Sequence, residues 1–219
     1  MSASHWFDAC AYGPRAKPRH NAVSRAAIDG ARPGPAWLVN VAGTAGSGKS
    51  TFIESLRSRL APGFALIQPD RIMEAYDGYR SDVAARGAAA AFAAWEPVAW
   101  ATAFDAMSRL TRRRCPILLE LSASDPAHPG LVSEFSRNGY RTCLVLLKTP
   151  LETCAERARR RFESGGRHTP PRYVAERHER IQSLLPQYEK AFDAVLEAPD
   201  IARSDAASLA VADFVRSVE

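Results

Sequence analysis

Short apolar runs alternate with stretches of helical periodicity along most of this chain. Trp37 to Ala42 is an apolar run that ends in a glycine-rich turn. Phe52, Ile53, Leu56 and Leu60 then repeat at helical spacing until Pro62-Gly63. Phe64 to Gln68 reads as a second strand. A long helical stretch follows from Arg71 to Arg113, with interruptions expected near Gly78, Gly87 and Pro97. Pro116 to Leu121 is a third strand, apolar enough for the middle of a sheet. A helix from Pro129 to Arg137, a turn at Asn138-Gly139 and a strand from Arg141 to Leu147 come next. The pattern then predicts a helix over Pro150 to Phe162, a break at Ser164-Gly165-Gly166 and a helix over Tyr173 to Phe192. A short strand at Ala194 to Leu196 and an amphipathic helix over Asp205 to Val218 close it. Residues 1–35 are punctuated by Pro14, Pro18, Pro33 and Pro35 and carry one short helix, Asn21 to Ile28, so they read as an N-terminal arm. Residues 36–219 read as one α/β domain, a parallel five-stranded sheet with helices on both faces. Such sheets bind ligands at the carboxyl ends of their strands.

The turn after the first strand carries the strongest chemical signal. Gly43-Thr44-Ala45-Gly46-Ser47-Gly48-Lys49-Ser50 fits G-x-x-x-x-G-K-[ST], with a strand before it and a helix after it. Its glycines let backbone N–H groups crowd around phosphate oxygens. The helix that follows aims its positive end at the same place. Lys49 is a point charge for the outer phosphates, and the Ser50 hydroxyl is a ligand for Mg²⁺. Gly43 to Ser50, with Thr51 beside them, are therefore the candidate nucleotide-binding residues, and the fold is expected to be the three-layer P-loop type.

Three broad classes of protein use such a loop. The N-K-x-D that a regulatory GTPase uses to read its base does not occur, and the third strand offers Glu120 in place of the Asp-Glu pair of motor ATPases. A small-molecule kinase needs a carboxylate for the acceptor hydroxyl and a basic lid over the triphosphate. Asp70 follows the second strand, where it could take that proton; the other reading is a helix N-cap. Glu120 stands among apolar residues, where a buried charge is costly, so it is expected to point to Mg²⁺ or acceptor; the other reading is a structural carboxylate paired with an arginine. Arg157, Arg159, Arg160, Arg161, Arg167, Arg172, Arg177 and Arg180 surround Gly165-Gly166. As a group they suit a lid over about residues 157–180, although each alone could be a solvated helix face.

Composition narrows the picture further. Of 29 lysines and arginines only Lys17, Lys49, Lys148 and Lys190 are lysines. Codon bias accounts for most of the arginines, but a rare lysine at the phosphate loop and arginines gathered at one hinge point to a local clamp. The net charge of +5 suits any phosphate-rich ligand, and the arginine clusters have few interleaved aromatics that would favour nucleic acid. No run of about 20 apolar residues occurs, since Ala88 to Phe104 is broken by Glu96 and Pro97, so no membrane partner is expected. Cys10, Cys115, Cys143 and Cys154 have no metal spacing and read as free thiols of a cytoplasmic protein.

At these residues the chain resembles the zeta-toxin family of P-loop kinases. The matching features are Gly43–Ser50, Pro69-Asp70, Leu118-Leu119-Glu120, Asn138-Gly139-Tyr140, and Arg161 leading through Gly165-Gly166-Arg167-His168-Thr169-Pro170 to Arg177. The resemblance spans about residues 37–195. It implies transfer of the γ-phosphoryl of ATP, with GTP as the alternative, to a hydroxyl of a nucleotide-linked metabolite such as UDP-N-acetylglucosamine, with Mg²⁺. It gives Lys49 and Ser50 to phosphate and metal, Asp70 to the acceptor as base with Arg71 beside it, and Glu120 to metal or acceptor. Arg157 or Arg161, with Arg167, Arg172 or Arg177, would clamp phosphates. Glu96 and Asp105 are candidates for a further acceptor carboxylate, and an antitoxin is an implied partner. In this chain Arg167 stands between the Gly-Gly pair and His168, where many relatives place His directly. Other acceptors (an antibiotic, a nucleoside, a sugar acid) and a non-catalytic ATP-dependent switch or nucleic-acid-binding role are the alternatives.

Overall fold

The structure is a computed structural model that describes residues 17–166, 169–199 and 205–218. Its elements alternate as the hydrophobic pattern predicts: α1 (Lys17–Ala27), β1 (Trp37–Ala42), α2 (Lys49–Arg57), β2 (Ala65–Ile67), α3 (Pro69–Glu74), α4 (Asp77–Arg86) and α5 (Ala88–Arg112). Then come β3 (Ile117–Glu120), α6 (His128–Arg137), β4 (Arg141–Leu147), α7 (Leu151–Glu163), α8 (Pro171–Ala191), β5 (Ala194–Ala198) and α9 (Asp205–Arg216). The strands form one parallel sheet in the order β2-β3-β1-β4-β5. β1 pairs with β4 from Trp37 opposite Arg141 to Ala42 opposite Leu146. β4 pairs with β5 from Cys143 opposite Ala194 to Leu147 opposite Ala198.

The chain divides into two compact units, residues 1–34 with 63–117, and residues 35–62 with 118–219. In the second unit every residue of β1 is buried. Successive strand side chains point to opposite faces, so both faces of the sheet must be covered. On one face Ala42, Leu144 and Leu146 pack with Val132 of α6 and with Ile181, Leu184 and Tyr188 of α8. On the other, α2 buries Phe52, Ile53 and Leu56, and α9 packs on β4 and β5. Arg59 pairs with Asp205 across 3.0 Å, close to the start of α9.

The first unit is mostly helical, and Tyr76, Tyr79 and Phe92 belong to its core. Tyr76 and Tyr79 are buried. The Tyr76 hydroxyl lies 2.6 Å from that of Thr102, and its ring lies 5.3 Å from the Trp95 ring. Burial raises the Tyr76 pKa. The Trp95 indole donates to Asp82 at 2.8 Å. Asp105 accepts from Ser24 of α1 and from Arg109, so this carboxylate serves the packing of α1 on α5.

Of the expected helix interruptions, the one near Gly78 is displaced by a few residues and the one at Pro97 does not occur. Gly78 lies inside α4, and the break falls instead at Ala75-Tyr76. Pro97 lies inside an unbroken 25-residue α5. A proline removes one hydrogen bond to the carbonyl four residues earlier. Here that residue is Ala93, and both Ala93 and Pro97 are exposed, so the released carbonyl can bond to water. Pro186 is likewise exposed and lies inside α8. The break at Gly87 is where the pattern puts it, with φ at 82°.

A buried histidine, His128, stands at the start of α6. Its Nδ1 lies 3.4 Å from the Tyr188 hydroxyl, and that hydroxyl donates to the Ala123 carbonyl at 2.6 Å. Burial lowers the imidazole from 6.5 to about 4. Unfolding would restore the ordinary value, so the unfolded chain binds the extra proton between those two limits. Stability is therefore present above about pH 6.5 and is lost as pH falls toward 4. We expect the chain to lose about 2 kcal/mol between neutral pH and about pH 5 through this group. His128→Phe, which keeps the ring packing on Tyr188 and Phe192, should flatten that slope in urea-unfolding midpoints measured at the two pH values. An unchanged slope would remove His128 as its source.

Candidate active site

The phosphate loop is held in shape from three directions. From within, the Lys49 ammonium donates to the carbonyls of Gly43 at 2.9 Å and Thr44 at 3.1 Å. From the loop before α7, the buried Thr149 hydroxyl donates to the Ser47 carbonyl at 2.9 Å. From α8, the Val174 carbonyl accepts from the buried Thr44 hydroxyl at 2.9 Å. Gly48 caps α2 with φ at 96°, and Lys49 is the first helical residue. The positive end of α2 therefore opens into the loop.

The side chains of the loop divide by position. Thr44 and Ser47 are buried, and Ala45 packs beside Cys154, Ala158 and Val174. Those three residues offer backbone rather than side chain to a ligand. Lys49 is half-buried, while Ser50 and Thr51 are exposed. Gly46 takes φ 82°, and a Cβ there would lie 2.1 Å from the Cys154 carbonyl oxygen of α7. Cys154 itself is a buried free thiol whose pKa burial raises, and burial pushes Cys143 up to about 12. Cys115 is also a buried free thiol, whereas Cys10 lies outside the described residues.

Glu120 occupies the last position of β3. Its carboxylate accepts from the Ser50 hydroxyl, which lies 3.2 Å from Oε1 and 3.5 Å from Oε2. That is looser than the usual hydroxyl–oxygen separation of about 2.7 Å. The donor set is a serine oxygen and a carboxylate converging at the mouth of a phosphate loop. Hard oxygen donors of this kind suit Mg²⁺, which binds through few protein ligands and takes the rest from phosphate and water.

α7 ends at Glu163 and α8 begins at Pro171. Gly165 has φ 82°, and the Gly166 N–H donates to the Arg161 carbonyl at 2.9 Å. Arg161 donates to the Thr169 hydroxyl at 2.8 Å, and Arg157 is half-buried one turn earlier. Arg177 donates to the Ser122 hydroxyl at 2.7 Å, and its guanidinium lies 3.9 Å over the Tyr173 ring. These three arginines turn toward the protein. Arg159 and Arg160 pair with Glu156, Arg159 also with Glu163, and Arg172 with Glu176. Those pairs are exposed helix-face contacts of small energetic weight. They hold Glu156 down at about 2 and lower Glu176. Arg167 lies outside the described residues.

Asp70, Arg71 and Glu96 belong to the helical unit. Asp70 is the second residue of α3 and is exposed. The N-cap position falls on Gln68, because Pro69 starts the helix with its fixed φ, so the N-cap reading of Asp70 does not hold. Arg71 pairs with Glu74 at 3.1 Å. Glu96 is half-buried on α5.

Several residues that shape this site had no local signal. Ser122 is one. Ala123 is another: it takes φ 57°, a left-handed conformation uncommon outside glycine, and its carbonyl is held by Tyr188. Nothing in the residue types at 122–124 announces that turn; it becomes visible only when α8 is placed against it.

The parallel sheet and loop define a P-loop kinase fold. The zeta toxin family model matches residues 27–209, and the chain belongs to that family. Among solved structures, it is similar to one from the PezAT chromosomal toxin–antitoxin system of Streptococcus pneumoniae, at 12% identity and TM-score 0.63, over 99% of this chain and 98% of that one. A putative kinase from Chloroflexus aurantiacus aligns at 13% identity and TM-score 0.59, over 85% and 100% of the two chains. The AvrRxo1-ORF1:-ORF2 complex aligns at 13% identity and TM-score 0.63, over 86% of this chain and 65% of that one. At these identities the likeness is one of fold. No curated protein matches the chain in sequence. Among the described residues no helix is long and apolar enough to cross a membrane.

The close approach of Gly46 to α7 gives a stability test. Gly46→Ala combines positive φ with a backbone clash, and we expect a loss of about 3 kcal/mol. Gly165→Ala has the same φ but nothing within 4 Å, and should cost only about 1 kcal/mol. Equal effects in chemical denaturation would mean that the α7 contact does not constrain the loop.

Proposed function

We propose that the chain is an ATP- and Mg²⁺-dependent kinase that phosphorylates a hydroxyl of a small, nucleotide-linked metabolite such as UDP-N-acetylglucosamine. The observation that carries this reading is the convergence of Ser50 and Glu120 at the mouth of a phosphate loop whose lysine rests on the loop's own carbonyls. Family membership supports the chemistry, and the resemblance supports the acceptor class.

In this reading Lys49 moves from the loop carbonyls to the outer phosphates of ATP, while backbone N–H groups of residues 43–50 receive the remaining oxygens. Ser50 and Glu120 hold Mg²⁺, which when bound neutralises charge on the phosphates. Asp70 orients the acceptor hydroxyl and takes its proton as the new oxygen–phosphorus bond forms and the bond to the ADP oxygen breaks. Arg71 and Glu96 contribute to the acceptor side. Arg157, Arg161, Arg167, Arg172 and Arg177 are the lid candidates for the transferred group, with Arg157, Arg161 and Arg177 favoured because their charges turn inward. A cytoplasmic location suits the free thiols. The toxin–antitoxin name attached to one structural relative supports a protein antitoxin as partner.

Incubation with labelled ATP and a panel of nucleotide sugars, nucleosides, antibiotics and sugar acids should give a phosphorylated nucleotide sugar. Asp70→Asn should lower transfer by at least about 100-fold while ATP still binds. Lys49→Ala should weaken binding and transfer together. Near-normal turnover of the Asp70 variant would remove that residue from the mechanism. Steeply salt-dependent binding of nucleic acid without any phosphorylated product would favour the switch reading.

A further inference from the structure

The side chain at Thr44 is not dictated by the phosphate-loop motif, which leaves that position open. In this chain it is buried, and its hydroxyl donates to the carbonyl of Val174 in the first turn of α8. That carbonyl also stands in the helix's own bonding ladder, so the Thr44 bond is an addition to the helix and not a repair of it. Ala45 and Val174 belong to the same small apolar cluster with Cys154 and Ala158. One turn beyond Val174, Arg177 leaves α8 on the side where it meets Ser122, two residues past Glu120. Tyr173, adjacent to Val174, stacks under the Arg177 guanidinium. The start of α8 is thus tied at one end to the phosphate loop and at the other to the chain leaving the Ser50–Glu120 pair.

We propose that Thr44 is a positioning residue. It fixes α8 against the phosphate loop and thereby sets where the Arg177 guanidinium stands relative to the transferred phosphoryl group. The part of this statement that concerns catalysis rests on the kinase reading above; the tie itself does not.

Thr44→Val keeps the shape and removes only the hydroxyl, and it leaves the Val174 carbonyl bonded within α8. In hydrogen exchange of the full chain without nucleotide, amides at 174–181 should exchange about fivefold faster in this variant than in the wild type. β1 and β4 should be unchanged, and Thr44→Ser should restore the wild-type rate. In ATP turnover Thr44→Val should lower kcat about tenfold with KM for ATP within about threefold, again rescued by Thr44→Ser. Wild-type exchange in the valine variant would overturn the tie, and an unchanged kcat would overturn its positioning role. If the wild-type chain consumes no ATP, the kinase reading and the positioning role fall together, while the exchange comparison still decides the tie.

Discussion

A phosphate loop works only while most of its N–H groups are turned inward toward the ligand and not toward the chain's own carbonyls. The surrounding structure therefore has to grip the loop by its carbonyls. Lys49, Thr149 and α8 do so at Gly43, Thr44 and Ser47 and through the Thr44 side chain, and α7 closes the remaining space at Gly46. The buried apolar cluster beneath the loop belongs to the same grip, since Cys154, Ala158 and Val174 bring α7 and α8 to the loop together. The arrangement of helices around the carboxyl ends of β1 and β4 is the arrangement this grip requires.

Charge follows the same geometry. On α7, arginines at 159 and 160 are neutralised by glutamates of their own helix, so they contribute solubility and little else. Arginines at 157 and 161 lie on the helix face turned toward the loop cluster, and Arg177 of α8 reaches the end of β3. An arginine-rich sequence thus yields a small set of inward charges, selected by helical phase and not by abundance.

Much of the fold was legible because buried parallel strands are short and largely apolar, and β1 and β4 could not be mistaken for amphipathic helices. The phosphate loop was legible because its backbone geometry demands glycines at fixed spacing. Pro97 misled and Gly78 marked its break only to within a few residues, because their effect on a helix depends on exposure and on neighbours such as Trp95 that a linear pattern does not contain. Ser122, Ala123 and the buried role of Thr44 were invisible for the same reason. Each acts through a partner at least 55 residues away in sequence.

The register of the sheet has a consequence for how the chain comes to life. β1, which leads into the loop, pairs with β4, so Trp37 meets Arg141 about a hundred residues later. β4 is then joined by β5, and α8, which clasps the loop, lies between them in sequence. Contacts this distant are slow to form, and they cannot form at all until the later segment has left the ribosome. The loop is made early and shaped last. A growing chain of this kind has no finished phosphate loop until α8 has been made and has folded back onto Thr44.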